Sequence, residues 1–376
     1  MVRNEADIVS TMIDHHLEQG VDVFIVTDNG SIDGTTDILQ GYADRGLIEL
    51  RHDPVHRKQQ GSVVTEMARD AATRHHADWV VNADADEFFV AVDRSKTLKQ
   101  ALEAVPVEYR SFIVPVVNLT GAPAAEGSGL QRLIYRDERP QHELTAAGII
   151  AHPTPDSVHV GDPDVVVAQG NHQVSLESLG EPVGDDAIEV LHLPWRSWKQ
   201  YRDKVEISGR AYEANPELRP SPNHHGMRDY ARLHEGTLLA YYLLRHPNAA
   251  ELEAGLASGS FVEDRVLADH LPSAVADRLF SDELMDAYNA FSPIVRAQSL
   301  AMSSLSESTE MELVVRENRM IELEVELEHL RADRDALALE SAERARVADA
   351  LQLELDEVRN RRIVRLTESL KHGRLG

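Results

Sequence analysis

Val80-Val81-Asn82-Ala83-Asp84-Ala85-Asp86-Glu87-Phe88-Phe89 sets three carboxylates between two apolar runs. Asp78-Trp79-Val80-Val81 reads as a short strand, and because side chains alternate along extended backbone, Asn82, Asp84 and Asp86 fall on one face. Carboxylates brought this close repel one another unless a cation or a positively charged ligand offsets them. Hard cations take oxygen ligands, and Mg²⁺ is commonly held by one or two carboxylates together with substrate phosphates. The pattern points to a divalent metal, Mn²⁺ or Mg²⁺, and to chemistry on a diphosphate-linked donor. A lone Asp-x-Asp more often ends a strand in a solvated turn, so its weight rests on a second stretch upstream.

That stretch is Val23-Phe24-Ile25-Val26-Thr27-Asp28-Asn29-Gly30-Ser31-Ile32-Asp33-Gly34-Thr35, another apolar strand running into a turn. From it the pattern alternates: strand Val21 to Thr27, helix Asp33 to Ala43, strand Leu47 to Arg51, helix Gln60 to His75, strand Trp79 to Ala83. Alternation of this kind predicts an α/β domain with a mostly parallel, Rossmann-like sheet, whose ligands sit at the carboxyl ends of the strands. Asp28 lies at such an end, placed to accept hydrogen bonds from a ribose or base. Asp33 reads equally as a helix N-cap. Arg57 and Lys58, in a polar loop after a third strand, are within reach of donor phosphates or simply solvated. Only Met1-Val2 precede Arg3-Asn4-Glu5 and the first helical pattern, so the first strand is expected to be missing or clipped.

The chain has 376 residues, 42% of them hydrophobic, enough for one large or two modest cored domains. No run approaches the roughly 20 apolar residues of a membrane span, and the start lacks a basic region followed by an apolar one. Without cysteine, disulfides and thiolate metal sites are excluded. A formal charge of −26 argues against nucleic acid or an anionic membrane as main partner. These features predict a soluble protein, for which a cytoplasmic location fits.

Val2-Arg3-Asn4-Glu5-Ala6-Asp7, Thr27 to Thr35 and Asp78 to Phe88, in this order and spacing, resemble the family 2-like glycosyltransferases of the GT-A fold. The resemblance covers residues 1–235 and is most specific in the first ninety. It implies sugar transfer from a UDP- or GDP-linked donor to a glycan or other hydroxyl acceptor, with inversion and metal dependence. It implies donor contacts from Arg3, Asn4, Glu5, Asp28, Asn29, Ser31, Asp33, Arg57, Asp84 and Arg196. The metal would sit on Asp84 and Asp86, completed by a later histidine: His192 first, because its strand ends beside Arg196, a candidate phosphate clamp, with His172 and His225 as alternatives. Ser197 and the following helix, with Lys204, also resemble the family. Inversion needs a general base, which the sequence does not single out; Glu87, Glu143 and Asp203 are carboxylates near motifs.

Further along, Phe112 to Val117 reads as one buried strand, Gly121 to Gly129 as a loop free to vary, and Arg132 to Tyr135, Asp164 to Ala168 and Ile188 to His192 as short strands. Helices are expected at Asp229 to Arg245, Asn248 to Leu256, Ser260 to His270, Ser273 to Phe280 and Asp282 to Phe291. The resulting domains are a catalytic domain over 1–228, a helical appendage over 229–292, a coiled coil over 305–365 and a tail over 366–376.

The coiled coil rests on one heptad register from Leu313 to Val358, in which ten of fourteen a and d seats are apolar. In a parallel pair Arg319 faces Glu324, Glu326 faces Arg331 and Glu354 faces Arg359, all of opposite charge. This predicts a homo-oligomer. The rival for the whole chain is a catalytically degenerate nucleotide-binding protein that serves coiled-coil assembly.

Overall fold

The structure, a computed structural model, describes residues 1–54, 60–213 and 225–302, with residues 319, 320, 323, 327, 330, 331, 334, 337, 341, 344–346, 352 and 357. It divides into two compact units, Met1–Val325 and Glu326–Gly376.

The first unit opens as an α/β alternation. Helix α1 (Val9–Glu18) buries Val9, Met12 and Ile13 and ends before Gly20, whose φ of +86° is the left-handed geometry glycine adopts without strain. Strand β1 (Ile25–Asp28), helix α2 (Thr35–Asp44), strand β2 (Glu49–His52), helix α3 (Gln60–His75) and strand β3 (Trp79–Val81) follow within a few residues of expectation. β1 and β2 pair in parallel, and Val2 forms a parallel bridge with Asp28.

After β3 the chain departs from a mostly parallel sheet. Strand β4 (Glu87–Ala91), helix α4 (Leu98–Ala104), strands β5 (Ser111–Val114), β6 (Val116–Thr120), β7 (Ala124–Glu126) and β8 (Tyr135–Asp137), helix α5 (Gln141–Ala146) and strands β9 (Asp156–Val160) and β10 (Ile188–His192) follow, and all these strands except β7 enter an antiparallel sheet and a mixed one. One is ordered β3-β9-β5; the other runs β11-β8-β6-β10-β4, where β11 is Phe261–Glu263. Among the described residues only β1–β2 and β6–β10 pair in parallel; the other six pairings are antiparallel. The expected single strand from Phe112 to Val117 is two, because Pro115 has no N–H to continue a ladder and the chain changes sheets there. Of the expected strand at Asp164 to Ala168, the structure keeps only the bridge between Val167 and Val174.

Helices α6 (Trp198–Glu213), α7 (His225–His234), α8 (Leu238–Arg245), α9 (Ala249–Ser258) and α10 (Val266–His270) follow, then strand β12 (Arg278–Leu279) and helical residues 282–302. Two stretches expected as helices therefore carry strands. β11 pairs with β8 and β12 with β7, so the segment read as a helical appendage is woven into the sheets. The loop expected to vary freely contains β7 and is packed: a Cβ on Gly121 would lie 2.2 Å from the Arg132 carbonyl oxygen.

β4 and β10 hold the centre. Phe88, Val90 and Leu191 face α1 in one core, while Phe89, Ala91 and Val190 face α4 and β5 in a second. Alternate residues thus fill opposite faces, and each buried Phe contributes roughly 1.5–3 kcal/mol. Register sets His192 opposite Glu87, which brings the end of β10 to the acidic turn.

Candidate functional site

The sequence separates Arg3-Asn4-Glu5 from the Asp28–Thr35 loop by a helix, yet the fold makes them one unit. Asn4 adopts φ +56° and its Oδ1 accepts from the Ile32 amide (2.8 Å), while its own amide donates to Ser31 Oγ (3.0 Å). The Glu5 amide donates to Thr35 Oγ1 (2.9 Å), the Ala6 amide to Asp33 Oδ2 (3.1 Å), and Arg3 Nη1 to the Asn29 carbonyl (2.8 Å). Asp33 Oδ1 also accepts from the Thr35 amide (3.1 Å), but the N-cap of α2 is Gly34 at φ +102° with no side-chain cap, so Asp33 braces the turn just before the helix instead of serving as its N-cap.

Asp28 is buried, and both its oxygens are taken: Oδ1 by the Ser31 amide and hydroxyl (3.1 and 2.6 Å), Oδ2 by the Thr36 hydroxyl (2.6 Å). It shapes the loop from inside. Asp28, expected to meet the nucleoside, thus spends hydrogen bonds of both oxygens on its own loop.

The two carboxylates of Asp-Ala-Asp have separate surroundings. Asp84 Oδ1 accepts from Gln60 Nε2 (3.1 Å) and Asn171 Nδ2 (3.3 Å). Asp86, 2% exposed, has Oδ2 within 3.2 Å of both Arg196 Nη1 and Lys204 Nζ and 3.7 Å from His192 Nε2. Burial opposes its charge, yet Lys204, His192 and Arg196 hold the carboxyl well below the ordinary carboxylate range. Asn118 Oδ1 accepts from His192 Nδ1 (2.9 Å) and fixes that ring.

Arg196 is 0% exposed. Its Nε and Nη2 grip Asp7 at 2.9 and 3.1 Å, Nη2 also donates to Glu5, and Nη1 turns to Asp86. The expected phosphate clamp is instead an internal tether with no surface left for a phosphate. Burial raises the Glu5 carboxyl to about 7 against the pull of Arg196, so Glu5 too faces inward. Lys204 is different, for its side chain is 49% exposed while Nζ contacts Asp86, which raises its pKa above the ordinary lysine value.

A second acidic group lies on the Asp84 side. Glu87 is buried with Oε2 accepting from the Asp84 amide (2.8 Å); burial first, then Asp84 and Asp156, push its pKa well up. Asp156, at the start of β9 and 0% exposed, accepts from His172 Nδ1 (3.0 Å), while its Oδ2 has no hydrogen-bond partner. Gly170 and Asn171 both have positive φ, +85° and +65°, and a Cβ on Gly170 would come 3.0 Å from His172 Nε2. Asn171 Oδ1 and Asn82 Nδ2 are buried without partners as well. Orphaned polar atoms beside a strained loop mark a place where a ligand or water completes the bonding.

The other sequence candidates fall elsewhere. Glu143 sits on α5 beside Ser260, and Asp203 pairs with Lys199 and Arg202 on the outer face of α6. Arg57 and Lys58 lie outside the described residues, as does the His225 side chain. Lys204 entered the sequence reading as a family feature without a role, and Asp156 was missed: a lone Asp before Ser-Val-His-Val carries no motif.

A divalent metal on Asp84, Asp86 and His192 does not fit this arrangement. Two permanent cations already stand at the Asp86 oxygen it would use, and Asp84 is engaged with two amide side chains. Among the described residues no group of three or more His, Asp or Glu side chains is arranged to hold a metal ion. No described helix is long and apolar enough to cross a membrane.

Comparison with known proteins gives a family match over the first part of the chain. The sequence model of glycosyltransferase family 92 matches residues 1–119, the part that contains all three motifs. The comparison with curated proteins found no match. Among solved structures, S. aureus TarS is similar at a TM-score of 0.31 and 11% identity, over 68% of this chain and 44% of that one. S. aureus TarS 1-349 in complex with UDP is similar at a TM-score of 0.31 and 12% identity, over 62% of this chain and 70% of that one. This chain thus spans less than half the length of that first TarS chain.

Proposed function

We propose that the protein transfers a sugar from a nucleoside diphosphate to an acceptor hydroxyl, with inversion, on a GT-A-like domain. The observation that carries this reading is the joining of Arg3-Asn4-Glu5, the Asn29–Thr35 loop and Asp84–Glu87 at the carboxyl ends of β1 and β3. Ligands of α/β sheets bind at such ends, and the loop leads into the N-terminus of α2, which favours anionic groups. The family match over residues 1–119 agrees with it.

In this reading the Asn29–Thr35 loop holds the nucleoside and Asp84 the ribose. The acceptor approaches from the Asp156 side, where buried polar atoms lack partners. Asp156 fixes the His172 ring through Nδ1, leaving Nε2 to take the acceptor's proton. The acceptor oxygen then bonds to the anomeric carbon as the bond from that carbon to the diphosphate oxygen breaks, and its electron pair leaves with the nucleoside diphosphate. Incubation with a panel of UDP- and GDP-sugars, following nucleoside diphosphate release, tests the proposal: release from at least one donor is expected, and its absence from all of them, with the acceptor panel varied, contradicts it.

We further propose a parallel two-stranded coiled coil. Leu327, Leu330 and Leu337, all seam positions of the heptad register, are helical and 47%, 57% and 65% exposed within their own chain. Most of the remaining seam lies outside the described residues. Exposed leucines at this spacing match the face that a second copy covers, and the opposite charges of facing flanking positions favour the parallel arrangement.

A further inference from the structure

We infer that Lys204 supplies the positive charge at the diphosphate that a divalent metal supplies in related chemistry, so that donor binding here is metal-independent. The inference rests on the donor reading above and deepens it.

The argument is one of charge and access. Glu5, Asp7 and Asp86 bring three carboxylates to one buried locus, and Arg196 and Lys204 bring two cations. Arg196 has no exposed surface, although its Nη1, 3.2 Å from Asp86, makes no hydrogen bond. Lys204 has an exposed surface: its Nζ is 3.2 Å from Asp86 Oδ2, yet its side chain is 49% exposed on the first half of α6. A four-carbon stem with three rotatable donors can keep Asp86 and donate to a phosphate oxygen together. Asp86 then acts as the anchor that aims Lys204. A divalent ion in the same place would stand against both cations, which Coulomb repulsion in a partly desolvated site disfavours.

Removing the lysine inverts this balance. In Lys204→Met, three carboxylates face Arg196 alone, and the excess negative charge creates the metal demand that the natural site lacks. A structural role for Lys204 would not produce such a gain.

The test is isothermal titration of UDP, and separately GDP, into the full chain in EDTA and again with Mn²⁺, for the natural protein, Lys204→Met and Lys204→Arg. The natural protein is expected to bind one nucleotide with affinities in the two buffers within about two-fold of each other. Lys204→Met should bind at least about ten-fold more weakly in EDTA and recover with Mn²⁺, while Lys204→Arg stays near the natural protein. Binding by the natural protein only with Mn²⁺ overturns the inference while leaving the donor reading intact, and so does unchanged binding by Lys204→Met in EDTA. If Lys204→Met does not fold, the two-buffer comparison on the natural protein and Lys204→Arg decides alone. Absence of binding under every condition refutes the donor reading itself, and the inference with it.

Discussion

Arg196 Nη1 stands 3.2 Å from Asp86 Oδ2, joining the loop after β10 to the acidic turn before β4. Because the same guanidinium holds Glu5 and Asp7, one side chain ties together three segments distant in sequence. Replacing it with methionine leaves three carboxylates in the interior opposite Lys204 alone. Breaking a buried ion pair from one side typically costs about 3–5 kcal/mol, and Arg196→Met should lose stability in that range in urea. Arg196→Lys should recover only part, since an ammonium cannot fork onto Asp7. A loss below about 1 kcal/mol for Arg196→Met would show that the tether is idle.

Asp28→Ala should disorder the loop it shapes. Ser31 and Thr36, both half-buried, lose their acceptor, and because water can reach them the cost should stay near the low end of the about 1–3 kcal/mol typical of a buried unsatisfied group. Nucleotide binding should fall more steeply than stability, because the loop amides lose their arrangement. Calorimetric melting beside nucleotide titration separates the two; a variant that melts early but binds normally would remove the loop from the site.

Legibility in the sequence divides at Asp84. The first eighty residues alternate strand and helix with clear breaks, and their elements lie within a few residues of where the pattern puts them. β4 was hidden because all five of its residues are buried, so no alternation reveals it behind the acidic motif. Pro115 lies inside what reads as one apolar strand, and no local feature says that the chain changes sheets there. The motif residues were legible as a set, whereas their roles were not: Arg196 looks like a clamp until burial shows it enclosed. Asp156 and Asn171 reach the site only through long-range pairing, which one sequence does not display.

Acid should destabilise the fold well above the carboxylate range. His16 donates from Nδ1 to the Met12 carbonyl (2.9 Å) and accepts at Nε2 from the Phe89 amide (3.2 Å), so protonation breaks a link between α1 and β4. Burial lowers His16 and His246 to about 3 and His15 to about 4, all below the unfolded value near 6.5. The unfolded chain then binds more protons than the folded one, so this contribution is full above about pH 6.5 and is lost as pH falls through about 4 to 3. Asp229, lowered to about 2 against its burial by Arg245, Tyr201 and Arg232, adds a loss as pH falls from about 3.9 towards 2. Glu5, raised to about 7, and Glu87 and Asp156, raised by burial, bind protons in the folded chain and offset part of this loss, so the imidazole NMR signals are the direct measure: His15, His16 and His246 should stay neutral down to about pH 5, and protonation of all three near 6.5 contradicts the neutral buried histidines.

The coiled coil can be probed with a single thiol, since the chain has no cysteine. Leu330→Lys should convert a dimer to monomers in sedimentation equilibrium while donor turnover per chain persists. Leu327→Cys, at a seam position, should oxidise to a disulfide-linked dimer if two copies run parallel and in register. A natural chain that sediments as a monomer at micromolar concentration rules out the pairing.

The central claim is that residues 3–5, 29–35 and 84–87 form a nucleotide-sugar donor site. The most direct test is titration of UDP, then GDP, into the natural protein beside Asp84→Ala. Saturable binding of one nucleotide that Asp84→Ala loses is the result expected; no binding of either nucleotide, or equal binding by the variant, would contradict it.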